Sequence, residues 1–97
     1  MNINYFIKTM SEENVFGLFR KLFVLTDRIL IKNLKTNEDM FLTKSENEEL
    51  EVSFNGKTEK ILLDEFYSTY IDDLYKDILD NKIEILNYDG NDLTLSF

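Results

Sequence analysis

The apolar positions of this chain switch period several times, and the switches mark out its elements. Ile3, Tyr5 and Ile7 alternate weakly across Asn2 to Lys8, which predicts a short strand. Val15, Phe16, Leu18, Phe19, Leu22 and Phe23 then recur at i, i+1, i+3, i+4, i+7 and i+8, the spacing that gathers one apolar helix face. Thr9 with Glu12 has capping-box spacing, Ser11 is a rival N-cap, and Glu12 and Glu13 sit where the helix dipole favours negative charge. Gly17 falls on the wet side of that helix, at a cost of about 1 kcal/mol relative to Ala.

Alternation returns over Val24 to Lys32, with Ile29 and Ile31 on one face, and the polar stretch Lys35 to Asp39 leads into a second strand, Met40 to Thr43. Leu50, Val52 and Phe54 alternate with Glu49, Glu51 and Ser53. Asn55 and Gly56 then supply a type I′ turn, and Thr58 to Leu63 runs back. Asp64 is a candidate cap for a second helix whose stripe is Phe66, Tyr67, Tyr70, Ile71, Leu74, Tyr75, Ile78 and Leu79, with Asn81 as its stop. Ile83 to Leu86 and Leu93 to Phe97 flank Asp89 and Gly90, which predicts a last hairpin. The expected order is β-α-β-β-β-β-α-β-β. This is a single α+β domain over 1–97, a mostly antiparallel sheet carrying two amphipathic helices.

Composition narrows the chemistry. With 97 residues and 43% hydrophobic content there is enough apolar surface for one core, and with no Cys it must hold without disulfides or thiolate metal sites. The start of the chain has no signal-like apolar run and no segment is long enough to span a membrane, so the expected location is the cytoplasm, in a bacterial host cell. The wealth of Asn, Lys and Ile fits an AT-rich bacterial or phage genome. The absence of His as well as Cys leaves few groups for acid, base or nucleophile, and the adjacent Asp72 and Asp73 point about 100° apart on a helix rather than converging. A non-enzymatic role without cofactor is expected. Three isolated Gly cannot build a phosphate loop, and Asn87, Asp89, Asn91 and Asp92 lack the closing glutamate of a calcium loop, so a turn is the simpler account.

Charge changes the picture most. The net charge is −8, but residues 1–35 sum to +3 and residues 36–97 to −11. Such a field attracts cationic partners and repels nucleic acid and anionic lipid, which outweighs a basic strip from Arg20, Lys21, Arg28, Lys32 and Lys35. Part of the acidity works against local stability: Asp77 and Asp80 stand in the last turn of the second helix, where the dipole disfavours anions. Asp73, Asp77 and Asp80 are spaced i, i+4, i+7, Asp72 is expected to pair with Lys76, and Tyr75 at the stripe's edge is a candidate interface anchor. A second array is Glu46, Glu48, Glu49 and Glu51, with Glu49 and Glu51 on one strand face.

Three short stretches, MNIN at Met1 to Asn4, LIK at Leu30 to Lys32 and SENE at Ser45 to Glu48, occur in an order that resembles the front half of small acidic phage-encoded anti-CRISPR proteins that inhibit Cas9. Beyond Leu50 the chain follows a hairpin where that family turns to helix. The resemblance implies carboxylates, here Glu46 and Glu48, presented to the arginines that read the PAM. The functional expectation is an acidic inhibitor that occupies the basic groove of a nucleic-acid-binding or cleaving protein through Asp72, Asp73, Asp77, Asp80, Tyr75, Glu46, Glu48, Glu49 and Glu51. The alternatives are an immunity protein against a basic nuclease toxin and a structural or regulatory homodimer, the latter motivated by Leu95 and Phe97 on a terminal strand.

Overall fold

The computed structural model describes residues 3–91, and its architecture is α+β: three helices and a five-stranded antiparallel sheet. The elements are α1 (Ile3–Lys8), α2 (Glu12–Leu25), β1 (Arg28–Asn33), β2 (Asp39–Lys44), β3 (Glu49–Phe54), β4 (Lys57–Leu62), α3 (Leu63–Leu79) and β5 (Ile83–Asn87). The strand order is β4-β3-β2-β1-β5, so among the described residues β4 and β5 are the outer strands. The expected strand Leu93 to Phe97, and with it Leu95 and Phe97, lies outside the described residues.

The first element corrects the expected order. Residues 3 to 8 are helical, because Ile3 and Ile7 satisfy a helical i, i+4 spacing as well as an alternating one, and Tyr5, which alternation would bury, is 63% exposed. Asn4 explains what the helix does there. Its Nδ2 donates to the Ile85 carbonyl (3.3 Å) and its Oδ1 accepts from the Ile85 N–H (2.9 Å), so one side-chain amide meets both peptide groups of an edge-strand residue.

Further shifts are local. α2 continues through Val24 and Leu25 and ends at Thr26, whose N–H donates to the Leu22 carbonyl, so β1 starts at Arg28. Ser11 rather than Thr9 occupies the N-cap of α2, and the Thr9 hydroxyl donates back to the Phe6 carbonyl of α1. Asp64 does not cap α3. The N-cap is Leu62, two residues earlier, and the Leu63 N–H that opens the helix donates to the Glu48 carbonyl across the sheet end. At the other end Asn81 takes the left-handed conformation (φ 57°), and bonds from the Asn81 N–H to Ile78 and from the Lys82 N–H to Asp77 complete a Schellman stop. Asn55 (φ 52°) and Gly56 (φ 76°) form the expected tight turn between β3 and β4.

Register decides the layers. Ile29, Ile31, Leu42, Leu50, Ile83 and Ile85 share the inward sheet face and one core with Ile3 and Ile7 of α1, Val15, Phe19 and Phe23 of α2, and Phe66, Tyr67 and Ile78 of α3. All three helices therefore cover the same side. On the outward face Leu30 is shielded by its register partners Phe41 and Leu86, with the Tyr88 ring 5.0 Å from Phe41 and Arg28 over Tyr88 at 5.2 Å.

Candidate functional site

The long helix α3 disperses the acids of the second half more than the sequence implies. Helical periodicity puts Asp73, Asp77 and Asp80 on the flank that also carries Tyr70, while Asp72 lies on the opposite flank, towards α2. Asp72 makes no ion pair with Lys76, contrary to the expected i, i+4 pairing. It faces Glu12 instead, and the Asp72 carboxyl, placed to share a proton, raises the pKa of Glu12 above its ordinary value, helped by partial desolvation and opposed by the charge of Lys76. An open depression there is lined by Glu12, Glu13, Phe16, Ile71 and Asp72.

Tyr75 is held inside the molecule. Its hydroxyl donates to the Met10 carbonyl at 2.7 Å and its half-buried ring packs on the core, so it ties α3 to the α1–α2 junction. The exposed aromatic beside the acids is Tyr70, 44% exposed, with its ring 5.4 Å from that of Phe66. Sequence reading placed Tyr70 in the core stripe. Its position at the margin of that stripe, three residues before Asp73 and seven before Asp77, was the available signal.

The glutamate array divides in two. Glu46 and Glu48 lie in the β2–β3 turn, where Asn47 (φ 61°) and Glu48 (φ 58°) are both left-handed. For a Glu that conformation costs roughly 1–2 kcal/mol, and the bond from Leu63 to the Glu48 carbonyl holds it in place. This turn is at the N-terminal end of α3, about 25 Å along the helix from Asp80. Glu49 and Glu51 point to the outward sheet face, away from the helices, and Glu51 lies 3.8 Å from Lys60. One flat partner surface cannot cover that face and α3 together.

Two members of the basic strip are engaged internally. Arg20 pairs with Asp64 at 3.1 Å and lies over the Phe16 ring, and Arg28 stacks on Tyr88. At the C-terminal end of α3, Lys8 of α1 donates to the Asn81 side chain, which sets a cation near the negative end of the dipole. The oxygen-rich run after β5 is a turn in which Asn87 Oδ1 accepts from the Asp89 and Asn91 N–H groups. Among the described residues no group of three or more potential metal ligands is assembled, and no helix is long and apolar enough to cross a membrane.

Asp73, Asp77 and Asp80 remain as a row on one helix flank without an ion pair among the described residues, next to an exposed tyrosine. No family model, curated protein or solved structure matches this chain.

Proposed function

We propose that this chain acts by binding rather than catalysis, as an acidic inhibitor that occupies the basic groove of a nucleic-acid-binding or nucleic-acid-cleaving protein. The observation that carries the reading is the row Asp73, Asp77 and Asp80, whose carboxylates are not neutralised by any ion pair among the described residues and stand beside Tyr70. Carboxylates spaced about 6 Å and 10 Å along a helix present a line of negative charge to arginines and lysines built to grip phosphates, and an adjacent Tyr adds apolar area at little entropic cost. An anti-CRISPR or other phage anti-defence role falls within this reading, and an immunity role against a basic nuclease would use the same face.

The test uses tagged protein on a lysate of the bacterium that carries the gene, at low and then high salt. The expected catch is a nucleic-acid-binding protein that salt releases and duplex DNA displaces. Asp73→Asn, Asp77→Asn and Asp80→Asn combined should weaken its binding more than about tenfold while leaving the fold at least as stable. Unchanged affinity of the triple variant would remove α3 from the mechanism, and recovery of only the protein itself would move the reading to self-association.

A further inference from the structure

Between α3 and the β4 end of the sheet the helices leave part of the inward face uncovered. Met40, Val52 and Ile61 form a half-buried floor, and Phe66, Tyr70 and Leu74 form the wall. The space between them is about 90 Å³. Phe54, opposite Met40 in register and 38% exposed, extends the apolar strip toward the β3–β4 turn.

A cavity of this size is well below the roughly 300–1,000 Å³ of small-molecule sites, yet it suits the end of one aliphatic or aromatic side chain. Its rim is acidic. Glu59 lines it from β4, and Asp73 and Asp77 stand on the same flank of α3 as Tyr70, with Lys57 opposite Phe54 at the far end. A partner with a cationic surface and one protruding apolar residue would be complementary to both parts at once: the rim steers, and the groove excludes water from the anchor.

We infer that this groove receives a segment of a basic partner protein carrying one apolar side chain, Leu, Met or Phe, flanked by Lys or Arg, with the anchor against Tyr70, Val52 and Ile61 and the flanking cations against Glu59, Asp73 and Asp77. The inference rests on the binding function proposed above and adds where the partner's specificity lies. Charge alone would hold any basic protein, whereas the groove selects one that offers an anchor at the right place.

Two synthetic Lys- and Arg-rich peptides, identical except for a single central Phe or Ala, test it by NMR titration of the ¹⁵N-labelled protein at two salt concentrations. The expected result is tighter binding of the Phe peptide by about tenfold or more, with the shifts centred on Val52, Ile61 and Tyr70. Tyr70→Ala should bring the two affinities close to equal without removing the salt dependence, and Asp73→Asn with Asp77→Asn should weaken both peptides alike. If Tyr70→Ala fails to fold, Val52→Phe fills the groove from its floor and should give the same loss of discrimination. Equal affinities in the wild type, or shifts centred on Glu12 and Asp72 or on Glu46 and Glu48, would overturn the groove while leaving an acidic binding protein. No salt-sensitive binding of either peptide would overturn both.

Discussion

Replacing Tyr67 with Phe should stabilise this protein near neutral pH and alter its response to alkali. Tyr67 is fully buried between α2 and α3, its ring edge-on to Phe16 at 4.6 Å, and its hydroxyl has no hydrogen-bond partner among the described residues. A buried hydroxyl left unpaired costs roughly 1–3 kcal/mol, part of which is offset by the contacts the oxygen makes, so Tyr67→Phe should gain about 1 kcal/mol. The same burial pushes the Tyr67 pKa up from 10.0 to about 12, with the charge of Arg20 opposing and that of Asp64 adding to the rise. Because the folded state then holds the proton more tightly than the unfolded chain, the contribution is fully present below pH 10 and is lost as pH rises to about 12. The loss is on the order of 2 kcal/mol, and Tyr67→Phe should be spared it. Urea unfolding followed by far-ultraviolet circular dichroism, for both proteins at pH 7, 9 and 11, isolates the effect, since every other residue is common to both. A gap between the two that stays constant with pH, or a variant less stable than the wild type by more than about 1 kcal/mol at pH 7, would refute the orphaned hydroxyl.

Two further outcomes follow from contacts that join distant parts of the chain. Asn4→Leu should leave the N–H and carbonyl of Ile85 without partners and cost roughly 2–4 kcal/mol, read as a lowered urea midpoint; an unchanged midpoint would mean that the amide bonds contribute nothing net. Glu12→Gln should raise the melting temperature at pH 7 and have little effect well below the ordinary carboxylate range. The pKa of Glu12 is raised first by the Asp72 carboxyl placed to share its proton, then by desolvation and by the charge of Asp72, so the favourable contribution is present at low pH and lost as pH rises. A melting temperature lowered by Glu12→Gln at pH 7 would contradict that coupling.

What was legible in the sequence was local. Asn55 and Gly56 demand positive φ, and the stripe from Phe66 to Ile78 has one period over many turns, so a hairpin and a helix were readable without tertiary information. Ile3 and Ile7 are ambiguous because a separation of four satisfies both periods, and α1 is settled by what Asn4 meets 81 residues away. The site was half legible for the same reason. The spacing of Asp73, Asp77 and Asp80 is a property of the helix itself, but the meeting of Asp72 with Glu12, the internal bond of Tyr75 and the uncovered floor of Met40, Val52 and Ile61 depend on how helices and sheet are laid together.

The Asn4 amide also bears on how many copies of this chain could join through their sheets. Ile85 on β5 already has its peptide groups occupied and the Asn87 N–H is bonded to the Asn91 carbonyl, whereas β4, the other border, is solvent-exposed along most of its length. Among the described residues, then, one border is occupied at Ile85 and Asn87 and the other is open, which favours a neighbour on a single side. If two molecules met β4 to β4 about a two-fold axis, both vacant borders would be used at once and only the β5 borders would remain outermost. With the Ile85 and Asn87 groups of β5 already bonded, strand addition through the described borders would favour a pair over a filament.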